Sequence, residues 1–347
     1  MSDSEVIYNH RITYRDSGVD IKAGETAVEQ IKELASSTFS SDVISSIGGF
    51  GGMYRVPVKN YKSPILVSST DGVGTKAYIA NLANKFDTIG QDLVAMCTDD
   101  LICCGAKPIY MLDYISIAKL VPEIVVDLIS GIVGGCKLAD CSLIGGEMAE
   151  HPNSNGDFIF DLAGFAVGIV EEEKIIKKSM VSSSDILIGL PSYNLRSNGF
   201  SLVRKVVFEI ANLKLEDTPI EDSSQTLEEL LLSPSVVYAN KITGLLERHF
   251  DAITAIAHIT GGGIYSNLQR VLPSDLRPVI DKNSWTKPPI FELIKKLGNV
   301  EDQEMDLVFN NGIGLVLVVK NHKTDSVQSY LKSVNQESFI IGELKKI

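Results

Sequence analysis

Apolar residues recur along this chain with two distinct periods. Val28, Ile31 and Leu34, within residues 24 to 37, stand at helical spacing, and residues 88 to 104 place Leu93, Met96 and Cys97 on one side of a second helix. PILVSST (64–70), KPIYMLDYISI (107–117), CSLIGGE (141–147) and FDLAGFAVGIV (160–170) read as strands, the first of them buried. Pro122 suits the first turn of a helix that runs to about residue 138. Beyond the acidic run Glu171 to Glu173, DILIGL (185–190), AITAIAHI (252–259) and NNGIGLVLVVK (310–320) predict further strands. Helices are expected between them near 199–211, 235–248, 263–271 and 323–334, with an exposed loop over 213–226. The pattern predicts an α+β protein of two domains, residues 1–172 and 173–347.

Composition narrows the class. With 347 residues, 44% hydrophobic and 22% charged, the chain can bury a full-sized core. Its net charge of -12 argues against nucleic-acid or anionic-membrane partners and leaves a small molecule as the expected ligand. Any anion must then be held by local devices, such as backbone amides, a few Lys or Arg, or a cation. The start, MSDSEVIYNHR, has no apolar core of a secretory signal, and the apolar stretch 109–145 is broken by Asp113, Lys119, Glu123 and Asp127. Cys97, Cys103, Cys104, Cys136 and Cys141 form no C-x-x-C pair and read as buried thiols. A cytoplasmic protein is expected.

Several segments carry candidate chemistry. DGVGTK at 71–76 directly follows a strand: Gly72 and Gly74 let the backbone approach an anion, Asp71 suits Mg²⁺, and Thr75 and Lys76 suit phosphate. The full G-x-x-x-x-G-K-[ST] spacing is absent, so a P-loop is not supported, and an ordinary tight turn is the other reading. GGFGG at 48–52, with Gly48, Gly49, Gly51 and Gly52, reads either as a flap over a nucleotide or as a linker. Asp92, Asp99 and Asp100 set an acidic face on an otherwise apolar helix, which calls for partners such as Mg²⁺. Glu147, expected on a tight turn at a strand end, joins Asp71 and Asp100 in the candidate metal set. In the second half, LRSNGFSLVRK (195–205) and AHITGGGI (257–264) each read as a turn into a helix, either a ready anion site or a plain cap.

Taken in order, YRDSGVDIKAG (14–24), GGFGG, STDGVGTK (69–76), DTIGQDLVAM (87–96), GGEMAE (145–150), SNGFSLVRK (197–205), AHITGGG (257–263) and FNNGIG (309–314) resemble the phosphoribosylformylglycinamidine cyclo-ligases, also called AIR synthetases. The resemblance covers almost the whole chain. It implies a two-domain α/β protein whose N-terminal domains pair through their sheets in a homodimer. It also implies an ATP-dependent reaction in which the amide oxygen of formylglycinamidine ribonucleotide (FGAM) is phosphorylated to an iminophosphate. An amidine nitrogen then closes the ring of aminoimidazole ribonucleotide (AIR), releasing ADP and phosphate. Carried onto this chain, it implies Asp71, Asp100 and Glu147 for Mg²⁺ and phosphates, and Lys76 for charge neutralisation. Lys32 and the GGFGG glycines are implied for the nucleotide; Ser197, Asn198, Gly199, His258, Gly261 and Gly262 are expected at the substrate.

The chain departs from that family's pattern in places. Arg196 stands where His is usual, so a proton-transfer role there gives way to an anion ligand at the catalytic site. Asp99 stands where Asn is usual and Met148 where Thr is usual, and His151 and Asn153 alter the following loop. Selenophosphate synthetases and thiamine-monophosphate kinases share the acidic and Gly-rich elements. AHITGGG and SNGFSLVRK argue against both, and the first cysteine, Cys97, is too late for the former. A non-catalytic nucleotide-binding dimer is the reading from another class, with Arg196 as its support.

Overall fold

A computed structural model describes residues 13–152 and 160–347, so Asn153 lies outside the described residues. The first sheet holds β1 (Pro64–Gly72), β2 (Lys107–Ile117), β3 (Ser142–Glu150) and β4 (Phe160–Glu171), in the order β1-β4-β2-β3. β4 runs antiparallel to both β1 and β2, while β2 and β3 are parallel. A parallel pair needs a crossover, and α4 (Pro122–Ala139) supplies it, starting on Pro122 and ending where Asp140 turns left-handed at φ 55°. α1 (Ile21–Ser36) is capped by Asp20, whose side chain accepts from the amides of Lys22 and Ala23. α2 (Lys76–Ala83) and α3 (Ile89–Cys103) complete the first half. α3 and α4 touch backbone to backbone, since a Cβ on Gly90 would lie 2.2 Å from the Ile132 nitrogen.

The second sheet is antiparallel throughout: β5 (Ile186–Pro191), β6 (Ile253–His258), β7 (Leu276–Ile280), β8 (Ile313–Val319) and β9 (Phe339–Lys346), ordered β6-β8-β5-β9-β7. Its helices are α5 (Phe200–Arg204), α6 (Leu227–Leu232), α7 (Ala239–His249), α8 (Gly263–Val271), α9 (Pro289–Gly298), α10 (Asp302–Val308) and α11 (Thr324–Ser333). One apolar core crosses both halves, joining Leu93 and Leu101 of α3 to Val203, Leu245 and Ile256. A smaller cluster, including Leu187, Val316 and Trp285, packs separately in the second half. Among the described residues, no helix is long and apolar enough to cross a membrane.

Three expectations need correction. β1 is an edge strand with Leu66 53% exposed, not a buried one, because among the described residues no strand pairs with its outer side. GGEMAE is not a turn: β3 continues through it to Glu150, paired with β2 as far as Ile117. The helix expected over 199–211 changes after Arg204 to a π-helical turn, Lys205–Ile210. The apolar pattern does not predict α2, β7, β9, α6, α9 or α10. β7 carries Pro278, which argues against a strand in sequence yet is tolerated at a sheet edge.

Candidate active site between the two halves

The acidic face of α3 is the hinge of the site, but its three acids have different fates. Asp92 and Asp99 are fully buried, whereas the Asp100 side chain is 37% exposed. Asp92 pairs with the equally buried Lys76, Nζ to Oδ2 at 2.7 Å, and its Oδ1 accepts from the Ser235 amide at 3.0 Å. Lys76 Nζ also donates to the Ser233 carbonyl at 2.9 Å. Burial pulls the Lys76 ammonium down from its ordinary range, and the Asp92 charge opposes that. Lys76, expected on phosphate, is thus committed to an internal ion pair.

Asp99 is committed in the same way. Its Oδ2 accepts from Arg196 Nη2 at 2.8 Å and its Oδ1 from the Tyr238 amide at 3.0 Å. Arg196 is completely buried, adopts left-handed backbone at φ 58°, donates to the Val236 carbonyl at 3.0 Å, and lies 5.1 Å from the Tyr238 ring centroid. Its Nη2 also contacts His258 Nε2 at 3.0 Å. A guanidinium can only donate, so Nε2 accepts and the imidazole proton sits on Nδ1. That proton is given to Asp100 Oδ1 at 2.8 Å. Arg196 therefore reaches the candidate site only through His258; enclosed as it is, it is not an exposed anion ligand.

Asp100 and Asp71 remain at the surface of the site. Burial pushes the Asp100 carboxyl up, but the hydrogen bond from His258, with the Arg270 charge and the Ser69 hydroxyl, outweighs it and holds it below the usual range. The Asp71 carboxyl is raised by loss of solvent and by the neighbouring Asp100 charge, despite the Gly72 amide donating to it at 2.7 Å. Two carboxylates that oppose each other's ionisation suit a divalent cation completed by substrate phosphates. Glu147 does not join them. Asp71, Gly164, Asp113 and Gly146 form one row across the sheet, so Glu147 stands three strands away, about 14 Å at ordinary strand spacing. Its side chain also projects to the opposite face, because neighbouring residues alternate. Among the described residues, no group of three or more His, Cys, Asp and Glu could hold a metal ion.

The turn motifs of the two halves meet at this point. A Cβ on Gly74 would lie 3.8 Å from the Ser197 carbonyl, and Thr75 Oγ1 is 3.3 Å from Ser201 Oγ. Asn198 Oδ1 would be 3.8 Å from a Cβ on Gly261. Ser197 Oγ and Asn198 Nδ2 are buried without a hydrogen-bond partner, an expensive state unless a ligand completes it. Gly199 and Gly262, at φ 77° and 99°, make the left-handed turns that start α5 and α8.

GGFGG lies apart from that cleft. It rims a cavity of about 520 Å³ lined by Val28 and Ile31 of α1, Leu112, Leu143 and Asp113. Phe50 projects wholly into solvent, and a Cβ on Gly49 or Gly51 would meet nothing within 4 Å. Lys32 stands beside the loop, its Cε 3.7 Å from a Cβ on Gly48, and pairs with Glu29. Asp113, which sequence reasoning used only as a charge interrupting an apolar run, is 7% exposed on the cavity wall, and burial pushes its carboxyl up to about 7. A lone acid among alternating apolar residues of a strand was the available signal.

This pair of sheets, with turn motifs facing across a cleft, is a known class. Residues 56–170 match the family model for the AIR synthase related protein N-terminal domain, and residues 183–346 match that for its C-terminal domain. A solved thiamine-monophosphate kinase from Stenotrophomonas maltophilia K279a shares the fold, with a TM-score of 0.66 at 15% identity over 93% of this chain and 94% of that one. So does hydrogenase maturation protein HypE in complex with ATP, at TM-score 0.62 and 13% identity over 92% of this chain and 86% of that one. A phosphoribosylformylglycinamidine cyclo-ligase from Geotalea uraniireducens (strain Rf4) is 47% identical over 97% of this chain and 96% of its own length. The chain belongs to the phosphoribosylformylglycinamidine cyclo-ligase family.

Proposed function

We propose that the chain performs the ATP-dependent closure of FGAM to AIR, with ADP and phosphate as the other products, in purine biosynthesis in the cytoplasm. The observation that carries this reading is the convergence of DGVGTK, Asp100, SNG and His258 from both halves on one cleft, where Ser197 Oγ and Asn198 Nδ2 are buried and unpaired. An amide oxygen leaves poorly until phosphorylated, and phosphoryl transfer depends on positioning and charge neutralisation rather than on a protein nucleophile. Mg²⁺ would supply that neutralisation, held by Asp71 and Asp100 together with the nucleotide phosphates. Ser197 and Asn198 would orient the FGAM amide, with Gly261 and Gly262 leaving room beside them. His258 holds Asp100 in place.

In this reading, residues 1–172 bind ATP and make the dimer, and residues 173–347 close over the substrate. The GGFGG loop and Lys32 border the nucleotide, and the apolar cavity beneath the loop takes its base. The sheet face away from α3 and α4 carries exposed Leu66, Tyr114 and Phe165, which suits pairing with a second copy through the sheets and a homodimer. Glu147 lies on the border of the cavity beneath the loop, so it is nearer the nucleotide base than the Asp71–Asp100 pair is.

The test is ADP release by the purified protein with ATP and Mg²⁺, with and without FGAM, alongside detection of AIR. ADP that appears only with FGAM and matches AIR supports the reading. ATP binding without either product would favour a non-catalytic nucleotide-binding dimer.

A further inference from the structure

A second cavity, of about 420 Å³, opens between the two halves beside Asp100 and His258. It is smaller than the one beneath GGFGG, and its mouth carries Lys177 and Lys178, from the segment joining the halves, and Arg270 of α8. None of these three cations has a carboxylate within ion-pair distance among the described residues. In a chain of net charge -12, such a group stands out. Arg270 is also held in place: its Nη1 donates to Asn267 Oδ1 at 3.2 Å, and the buried Asn267 is itself tied to the Gly263 carbonyl at 2.8 Å.

We propose that this cleft is an anion subsite for the phosphate monoester of a sugar-phosphate substrate, with Arg270 as its principal ligand and Lys177 and Lys178 closing the charge balance. The proposal rests on the cyclo-ligase reading for the identity of that substrate. A guanidinium fixed by a buried partner presents a planar fork that matches phosphate oxygens, and less freedom is lost when it binds. The cavity falls in the size range of small-ligand sites, about 300–1,000 Å³, and borders Asp100 directly. A phosphate seated at its mouth would leave the rest of the substrate directed toward Asp100, His258 and the reacting cleft. Nucleotide phosphates are the other source of the same chemistry, and kinetics separates the two.

The experiment measures KM for FGAM and for ATP in Arg270→Ala, Arg270→Lys and the double variant Lys177→Ala/Lys178→Ala. Loss of a charge-assisted hydrogen bond predicts a rise of about tenfold to a hundredfold in KM for FGAM in Arg270→Ala, with partial recovery in Arg270→Lys. KM for ATP and kcat should stay within about threefold of the parent, since the anion is bound equally in ground and transition states. A rise in KM for ATP instead, or no change in either constant, overturns the proposal. If the parent protein does not turn over FGAM, the cyclo-ligase reading fails, and calorimetric titration with ribose 5-phosphate still decides the subsite. Binding to the parent but not to Arg270→Ala supports it; equal binding or none overturns it.

Discussion

Arg196 and Asp99 form a completely buried ion pair, Nη2 to Oδ2 at 2.8 Å, at the two positions where resemblance to the cyclo-ligases leads to the expectation of His and Asn. The two positions therefore form one structural unit: a buried cation beside the buried anion that neutralises it. The pair joins α3 of the first half to the turn before α5 in the second, and Arg196 hands the arrangement on through His258 to Asp100.

A double-mutant cycle should expose that coupling. Arg196→His or Asp99→Asn alone leaves one buried charge uncompensated and is expected to cost about 3–5 kcal/mol, whereas the double variant should cost well under the sum. Urea unfolding of the four proteins measures it, and additive losses would show that the two residues are independent.

Lys76 invites a test of position against role. Because its ammonium is enclosed with Asp92, Lys76→Met should lower stability by about 3–5 kcal/mol by stranding the acid. KM for ATP in the folded fraction should be unchanged. A large rise in that KM with intact stability would return Lys76 to the phosphates.

Asp71 is exposed at the end of an edge strand, so Asp71→Asn should leave the unfolding midpoint in place. Turnover should fall about a hundredfold or more, the scale seen when a group that stabilises transition-state charge is removed. Steady-state kinetics over a Mg²⁺ series would show it, and parental turnover would remove Asp71 from the metal set.

Asp113 should write itself into the pH dependence of stability. Its carboxyl is raised from 3.8 to about 7 by burial, so the folded state binds the proton more tightly than the unfolded chain. The contribution is complete below about pH 4 and is lost as pH rises through about 7. Asp113→Asn removes this dependence and should raise the unfolding temperature relative to the parent at pH 8, where the gain is on the order of 4 kcal/mol, with the difference shrinking toward pH 4. Thermal scans at the two pH values decide it.

Much of this protein was legible in its sequence. Alternation and helical spacing placed β2, α4, β4, β6 and β8 to within a few residues, because a half-buried element must repeat its apolar residues with its own period. The ordered motifs likewise marked DGVGTK, SNG and HITGGG as candidate ligand-binding segments, but only the tertiary structure brings them together. Sequence could not apportion the acids of α3. Asp92, Asp99 and Asp100 look alike along the helix, and only packing against Ser235, Tyr238 and Arg196 makes two of them internal counter-ions and leaves the third at the cleft. Nor could it separate Glu147 from Asp71, since that distance is set by strand order rather than by spacing in the chain. Local pattern determines which elements form, being a matter of each segment's own burial. Which charges meet, and which remain free for a ligand, was decided by the tertiary structure, because a buried charge is tolerated only where another part of the chain arrives to pair with it.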